Sequence, residues 1–270
     1  MADNVLSRMR VKPGSNFSMK RRSPEETFGW EKDSAKAELA QLQAHIDALQ
    51  QRLAAQRTHG LLVVLQAMDA CGKDGTIRSV FAALNPAGVK VHSFKAPVGS
   101  ETDHDYLWRV HSAVPARGEI AVWNRSHYED VLVVRVKGLL PTDRWERRYR
   151  HIREFERLLV DEGTRIVKIN LNVSFAEQGL RLQDRIDDPK ERWKFRIGDL
   201  DDRKLWPDFM KAYDVAISET STEHAPWYVV PGNRKWVRNL AVARILLHEL
   251  QQLDPQLPPD DPAIVGLNVV

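Results

Sequence analysis

The sequence LLVVLQAMDACGKDGT, residues 61–76, carries the clearest signal of the chain's architecture. Its first part, residues 61–66, is almost continuously apolar, which is typical of a strand buried on both faces of a parallel sheet. A glycine-bearing turn follows, and a helix is predicted to begin near Lys73. A strand that leads through such a turn into a helix is the context of a phosphate-binding loop.

The turn departs from the usual pattern G-x-x-x-x-G-K-[ST] at two positions. Ala67 replaces the first glycine, and Asp74 stands where serine or threonine would hold magnesium. Gly72 still permits close backbone approach, Lys73 offers a positive charge, and the following helix presents unpaired N–H groups. These features favour a bound phosphate. A glycine-rich turn without a ligand is the alternative.

Two carboxylates, Asp69 and Asp74, flank this turn. They would repel a bound polyanion unless divalent cations bridge them to it. We therefore expect a magnesium ion, or manganese in its place, at Asp69. Cys71 is interpreted as a small spacer, with a redox switch as the weaker alternative.

Strand and helix patterns alternate along the rest of the chain. Strands are predicted at 61–66, 89–94, 120–123, 165–171 and 227–230, and helices at 33–57, 73–84, 101–114, from about 130, and at 143–161 and 236–250. Five strands with intervening helices indicate a doubly wound parallel sheet, an α/β fold of the P-loop kinase kind. The charged segment 176–209, which is broken at Pro189 and Pro207, is predicted to form a helical lid, with a packed helical excursion as the alternative.

The two ends of the chain lack a clear period. Residues 1–32 are predicted to form an arm, extended over the body or partly disordered, and residues 256–270 a Pro-rich tail, so the kinase domain spans 33–255. The helix at 33–57 carries a narrow apolar seam at Leu39, Leu42, Ile46, Leu49 and Leu53. That seam can dock on the protein's own core or pair with a helix of another subunit.

Polar residues follow the predicted strand 120–123. Ligands of open α/β sheets bind at the carboxyl ends of the strands, so Asn124 and Arg125 should face the phosphate loop. Arg125 can span two phosphate oxygens, whereas the neutral Asn124 can orient metal-bound water without adding charge. His127 is a candidate general base, although a local hydrogen bond is the simpler role for it.

Composition excludes several classes of protein. The 40 Lys and Arg against 37 Asp and Glu give a net charge of +3, too balanced for a nucleic-acid coat or a membrane-surface binder. A single cysteine allows no internal disulfide, and no cluster has zinc-ligand spacing. Without a long apolar run or a signal-like start, a cytoplasmic protein is expected. Two basic clusters, at 144–153 and 181–196, are either solvated helix faces or polyanion contacts.

Together these motifs resemble the polyphosphate kinase 2 family. The loop DACGKDGT at 69–76 is similar to that family's D-A-x-G-K-x-G-T, and FKAP at 94–97, LWR at 107–109 and NRSHY at 124–128 resemble its central block. Arg185, Asp188-Pro189, Trp193-Lys194 and APW at 225–227 resemble its lid and last strand. The likeness covers roughly residues 25 to 255. The stretch NRSHYEDV at 124–131 looks like the class III branch, whose members phosphorylate AMP and ADP; other branches carry aspartate at the first position.

The resemblance implies a magnesium-dependent transfer of a phosphoryl group from inorganic polyphosphate to AMP or ADP, in a homo-oligomer. We expect Asp69, Lys73 and Arg125 to be the catalytic residues. The expected phosphate ligands are Gly72, Asp74, Gly75, Thr76, Arg181, Arg185, Lys190 and Lys194. The expected nucleotide ligands are Lys95, Asn124, Glu129 and Asp130. Carboxylates at a helix start, such as Glu129 and Asp130, commonly only complement the helix dipole.

Two other functions are compatible with the sequence. An ATP-dependent nucleoside monophosphate kinase would share the fold and the loop, and it would form no product from AMP and polyphosphate without ATP. A non-catalytic polyanion-binding module, with the helix at 33–57 as its interaction face, would bind polyphosphate tightly without turnover.

Overall fold

A computed structural model describes residues 2–269 and the side chains from Asn4 onward. Five parallel strands form one sheet in the order β2-β3-β1-β4-β5. The strands are β1 (Gly60–Gln66), β2 (Val89–Ser93), β3 (Ile120–Asn124), β4 (Thr164–Asn172) and β5 (Trp227–Pro231). The predicted α/β fold and the five strands are confirmed, because each apolar run pairs in parallel with its neighbours.

The central strand β1 pairs with β3 on one side and with β4 on the other. All seven of its residues are buried, which agrees with a strand covered on both faces. The chain leaves β1 toward β2 on one side of it, whereas it leaves β3 toward β4 on the other side. The carboxyl ends of β1 and β3 therefore flank the switch point where open α/β sheets bind ligands.

The helices cover both faces of the sheet. They are α1 (Ala2–Met9), α2 (Lys32–Gln56), α3 (Lys73–Phe81), α4 (Trp108–His111), α5 (Glu129–Val136), α6 (Thr142–Asp161), α7 (Phe175–Asp187), α8 (Gly198–Lys204), α9 (Trp206–Thr220) and α10 (Lys235–Leu253). The seam of α2 docks on the protein's own core: Ile46 and Leu53 are fully buried, and α2 lies against α10.

The arm differs from the prediction. It begins with α1 rather than with extended chain, and it lies on the body through buried Met9, Val11 and Phe17. The Val11 amide donates to the carbonyl of Trp227 at 2.8 Å, which attaches the arm to the edge strand β5. Val5, Leu6 and Met9 have the spacing of an amphipathic helix, a signal that the sequence interpretation missed, whereas the attachment to β5 has no local signal.

The predicted helix at 101–114 is wrong. Only a 3₁₀ turn (Gly99–Thr102) and the single helical turn α4 form there. The Asp105 carboxylate accepts the Leu107 amide at 2.9 Å, and the Thr102 hydroxyl donates to the Gly99 carbonyl at 2.7 Å. Such side-chain bonds to nearby backbone compete with a continuous helix.

The segment 176–209 is helical, as predicted: it contains most of α7, a 3₁₀ turn (Arg192–Lys194), α8 and the start of α9. The sequence interpretation assigned no structure to the remainder of α9. Pro207 does not interrupt α9, because it occupies the first turn of that helix, where the missing N–H would have no hydrogen-bond partner. The tail after Leu253 contains turns but no regular element within the residues described.

Candidate active site

The loops that follow β1 and β3 lie side by side at the carboxyl edge of the sheet. The Arg125 amide donates to the carbonyl of Leu65 at 3.0 Å, so the pairing of β1 with β3 continues into these loops. Ala70 and Arg125 both have left-handed backbone, with φ of 62° and 63°. Residues other than glycine rarely adopt this conformation, and such residues are concentrated at functional sites.

Gly72 is required at the turn into α3. Its φ is 98°, and a Cβ atom at this position would collide with the guanidinium of Arg238. Gly75, in the first turn of α3, also faces Arg238, whose Nη2 lies 3.4 Å from where a Cβ would stand. The two predicted loop glycines are therefore packed against a buried cation.

Lys73 is buried at the base of the loop. Its Nζ donates to the carbonyls of Ala67 at 2.8 Å and Met68 at 3.2 Å, so the ammonium curls back under the loop. Burial lowers the pKa of Lys73 below its ordinary value, although the nearby Asp69 carboxylate opposes that shift. Asp69 and Arg125 both act electrostatically on this ammonium, which places the three predicted catalytic residues in one cluster.

Asp69 accepts a short hydrogen bond from Arg125. A second guanidinium, that of Arg196, lies 3.8 Å from its other oxygen. Burial raises the pKa of Asp69, but Lys73 and Arg125 outweigh burial and hold the pKa below its ordinary value, so the carboxylate is ionised. Among these groups cations outnumber carboxylates, which suits an anionic ligand.

The predicted nucleotide residues are divided between two places. Asn124 donates to Asp74 at 2.6 Å, and Glu129 lies 3.5 Å from Arg125 and accepts from Gln66 at 3.0 Å. These residues join the cluster around the phosphate loop.

Asp130 instead points toward α6, where Arg148 donates to it at 2.9 Å. Burial raises the pKa of Asp130, and Arg148 opposes that shift. Lys95 is exposed beyond the end of β2, at the same edge of the sheet. The Thr76 hydroxyl is buried and donates to the Gly72 carbonyl at 3.0 Å, so it braces the first turn of α3.

The four predicted lid cations have different environments. Arg181 is buried and donates to the carbonyls of Cys71 at 3.2 Å, Gly232 at 2.7 Å and Asn233 at 2.9 Å. It therefore clamps the phosphate loop to the loop after β5. Lys194 bonds to Glu191. Within the described part of the chain, the side chains of Arg185 and Lys190 make no hydrogen bond or ion pair, so their charges are free to meet an anion.

Three residues of the cluster were not assigned from the sequence. Arg196 reaches Asp69, Gln178 donates to the Asp69 carbonyl at 2.9 Å, and Arg238 lies behind Gly72. Arg238 belongs to α10, far along the chain, and no local pattern connects it with the loop. Arg196 was visible only as one member of a basic cluster.

Two candidates for chemistry are buried away from solvent. His127 is 1 % exposed, and its Nε2 lies 3.5 Å from Glu156 in the core, so it does not face the cleft as a general base would. Burial raises the pKa of the Cys71 thiol to about 11, which keeps it protonated and unreactive. The interpretation of Cys71 as a small spacer agrees with this environment.

Within residues 2–269, no three His, Cys, Asp or Glu side chains are grouped so that they could enclose a metal ion. No helix in the same range combines the length and apolarity needed to cross a membrane.

Comparison with known proteins agrees with this site. The family model for polyphosphate kinase 2 matches residues 29–258. A Meiothermus ruber protein described as an AMP/ADP-polyphosphate phosphotransferase is 54% identical over 260 residues, which cover 96% of this chain and 97% of the relative. An ADP-polyphosphate phosphotransferase from Rhodopseudomonas palustris is 44% identical, over 80% of this chain and 78% of its own length.

The fold has a solved counterpart as well. The crystal structure of polyphosphate kinase 2 from Arthrobacter aurescens TC1 superposes with a TM-score of 0.92 at 44% sequence identity, covering 98% of this chain and 94% of that one. The resemblance seen in the loop and strand-end motifs thus extends over nearly the whole molecule. The chain belongs to the polyphosphate kinase 2 family.

Proposed function

We propose that this protein transfers a phosphoryl group from inorganic polyphosphate to AMP and to ADP, in a reaction that runs in both directions. The observation that carries the proposal is the cluster at the switch point, where Lys73, Arg125 and Arg196 gather around Asp69. Two polyanions can meet only where such charge converges. The Meiothermus ruber relative, whose printed description names AMP, ADP and polyphosphate, supports the choice of substrates.

Enzymes of this kinase type generally use a divalent metal ion, and we propose that the ion here is magnesium, with manganese able to replace it. Asp69 fits the role of its protein ligand because the carboxylate is ionised and lies beside the phosphate loop. Asn124 and Asp74, which bond to each other, can hold metal-bound water. When bound, the cation supplies charge neutralisation between the reacting phosphates.

The protein's own residues position the reacting phosphates and neutralise their charge. Lys73 and the free amides at the start of α3 hold the phosphates next to the reacting bond. Arg125 shields the charge that spreads over the transferred group, and the unpaired lid cations Arg185 and Lys190 hold more distant phosphates of the polymer. The acceptor is an existing phosphate oxygen, which needs little help from a base, and this agrees with the burial of His127 in the core.

The acceptor specificity is proposed from one position. Asn124 is the last residue of β3, at a position where other branches of the family carry aspartate, as the sequence resemblance implies. Here it adds no negative charge next to Asp74. A neutral side chain at this point reduces repulsion of nucleotide phosphates. We propose that this allows both the single phosphate of AMP and the two phosphates of ADP to bind. Lys95, Glu129 and Asp130 remain proposed nucleotide contacts.

The decisive experiment incubates the purified protein with long-chain polyphosphate, magnesium and either AMP or ADP, without ATP as donor. Chromatography should show ADP and ATP from AMP, and ATP from ADP. Chelation of the metal with EDTA should stop both reactions. No product without ATP would instead support an ATP-dependent monophosphate kinase, and tight binding without turnover would support a polyanion-binding module.

Arg125→Ala tests the assignment of the transferred-group site. We expect its turnover to fall by about two to three orders of magnitude, by analogy with a lost oxyanion-hole donor. Arg147→Ala is a matched control because Arg147 pairs only with Asp143 on the exposed face of α6. Near-normal turnover by Arg125→Ala would contradict the assignment.

We also propose that the protein is a cytoplasmic homo-oligomer, dimeric or tetrameric. The resemblance to the family supports assembly, and the nucleotide substrates support the compartment. Light scattering coupled to size-exclusion chromatography measures the assembly, and a single species at the 31.0 kDa of one chain would contradict it.

A further inference from the structure

Asn233, in the loop between β5 and α10, connects three parts of the molecule. Its Oδ1 accepts the Ser174 amide at 2.9 Å, and its Nδ2 donates to the Ser174 hydroxyl oxygen at 3.0 Å. Ser174 caps α7, since the same hydroxyl accepts the Glu177 amide at 3.1 Å. Asn233 therefore holds the start of the helix that leads into the lid.

The N-terminal arm contacts the same asparagine from the other side. The Asn233 amide donates to the Pro24 carbonyl at 3.2 Å, and its side chain donates to the Glu25 carboxylate. Close by, the Asn172 side chain donates to the carbonyl of Arg22 at 2.9 Å. Residues 22–25 thus lie across the ends of β4 and β5 and are fixed there by hydrogen bonds.

Arg181 connects the loop that contains Asn233 with the phosphate loop. The carbonyls of Gly232 and Asn233 accept from its Nη2, while its Nη1 donates to the carbonyl of Cys71. Arg181 is 8 % exposed and also pairs with Glu177 at 2.8 Å. A shift of the Asn233 loop would therefore move the loop that carries Gly72.

We propose that Asn233 is a positioning residue through which the N-terminal arm fixes the start of the lid and, by way of Arg181, the phosphate loop. Residues 22–25 precede the region matched by the family model, which begins at residue 29, so the arm adds a contact outside that match. The inference rests on the proposed phosphoryl transfer. Transfer requires near-attack geometry, and a displacement of about 1 Å can lower a rate by about a hundredfold.

Asn233→Asp tests the junction that Asn233 forms between the arm and Ser174, and a second substitution can restore the lost hydrogen bond. The carboxylate that this substitution introduces still accepts the Ser174 amide, but it lacks both donor hydrogens of the asparagine and faces the carboxylate of Glu25. Glu25→Gln in the same chain restores a hydrogen bond with donor and acceptor exchanged. We expect about a tenfold fall in kcat for Asn233→Asp, a KM for AMP within about twofold of wild type, and recovery of kcat to within about threefold in the double variant.

Asn85→Asp is the matched control. Asn85 is also a capping asparagine, with its side chain accepting from the Ala87 amide at 3.0 Å, but it precedes β2 at the opposite edge of the sheet. Its kcat should stay within about twofold of wild type. If Asn233→Asp does not fold, Glu25→Lys replaces it, because Glu25 is 61% exposed and tolerates exchange; its kcat should fall about threefold.

The inference is overturned if Asn233→Asp keeps its kcat, if its loss matches the fraction unfolded by circular dichroism, or if the double variant does not recover. Failure of the proposed function is distinguishable, since the wild type itself would then form no product. In that case amide hydrogen exchange decides: residues 174–181 should exchange faster in Asn233→Asp and return to the wild-type rate in the double variant. Unchanged exchange would overturn the junction itself.

Discussion

Two buried lysines of this protein, Lys168 and Lys73, have opposite surroundings. Lys168 lies in β4, and its Nζ donates to Glu156 at 2.6 Å, the Thr220 carbonyl at 2.7 Å and the Tyr128 hydroxyl at 3.1 Å. Every donor hydrogen has an acceptor, and one acceptor carries the compensating negative charge. Burial raises the pKa of Glu156, but the Lys168 ammonium and His127 together outweigh burial and leave that pKa below its ordinary value.

Among the residues that the structure describes, Lys73 has only the neutral carbonyls of Ala67 and Met68 as side-chain hydrogen-bond partners. Across the described residues, no carboxylate lies within 4.0 Å of its Nζ, and the nearest influential one, Asp69, is bound to Arg125. A buried cation without a direct counter-charge is costly to the folded state. The difference is that Lys168 has its counter-charge within the fold, whereas Lys73 has no direct counter-charge, as its proposed role in phosphate binding requires.

The largest expected effect is on stability, at Lys168. Lys168→Met leaves the Glu156 carboxylate buried without its counter-charge, so we expect the free energy of unfolding to fall by about 3–5 kcal/mol in urea titrations. The double variant Lys168→Met/Glu156→Leu should recover at least half of that loss, because the stranded charge is gone. A loss below about 1 kcal/mol in the single variant would remove the contrast between the two lysines.

Lys73→Met should lower the activity of the protein without lowering its stability. We expect kcat to fall by about two to three orders of magnitude, the usual cost of losing a donor aimed at the transferring group. The free energy of unfolding of the substrate-free protein should not decrease, since the variant removes a charge that has no direct partner. Steady-state ATP formation and urea unfolding measure the two quantities. Lower stability with retained turnover would invert the comparison.

Arg238 offers a third buried cation with which to sharpen the contrast. It is 2 % exposed, its hydrogen bonds go to the neutral side chain of Asn239, and burial together with Arg181 lowers its pKa to about 10. We expect Arg238→Met to lower kcat about tenfold without loss of unfolding free energy, because positive potential behind Gly72 is removed. Arg244 lies elsewhere on α10 and forms an ion pair with Glu38 of α2. Arg244→Met breaks that pair and should leave kcat unchanged. Equal kcat values for both variants would contradict this role.

The smallest effect is a pH dependence of the Lys168 network. The pKa of Glu156 is lowered from its ordinary value of 4.5, so its stabilisation is fully present above pH 4.5 and is lost as the pH falls through the folded-state pKa. The difference in unfolding free energy between wild type and Lys168→Met should therefore narrow on acidification below pH 4.5. One proton allows a slope of at most about 1.4 kcal/mol per pH unit. Urea titrations from neutral pH down to about pH 3 measure the difference, and a difference that widens in acid would contradict the assignment.

Local pattern predicted much of the fold. The apolar runs at 61–66 and 120–123 became neighbouring strands, and Gly72 with Lys73 began a helix as expected. The helix predicted at 101–114 failed because Thr102 and Asp105 bond to nearby backbone, a competition that apolar spacing does not reveal.

The candidate site divides in the same way. Asp69, Lys73 and Arg125 were predicted from the sequence to lie together, and the structure brings them into one cluster. The prediction was possible because Asp69 and Lys73 lie in the turn from β1 into α3, Arg125 follows β3, and the carboxyl ends of adjacent parallel strands meet. Arg238 and Asn233 were not predicted, because they reach the phosphate loop and the start of α7 from the segment after β5, through contacts across the molecule.

The five strands in chain order, the strand-turn-helix motif at 61–76 and the resemblance to the family could be read from the sequence alone. These depend on short-range periodicity and on motifs that lie within a few residues of one another. Only the tertiary structure decided that Arg181 clamps the loop, that Asp130 faces Arg148, and that the arm lies against Asn233. The physical reason is that the fate of a charged or amide side chain depends on which partners the folded chain brings within hydrogen-bond distance, and those partners are remote in sequence.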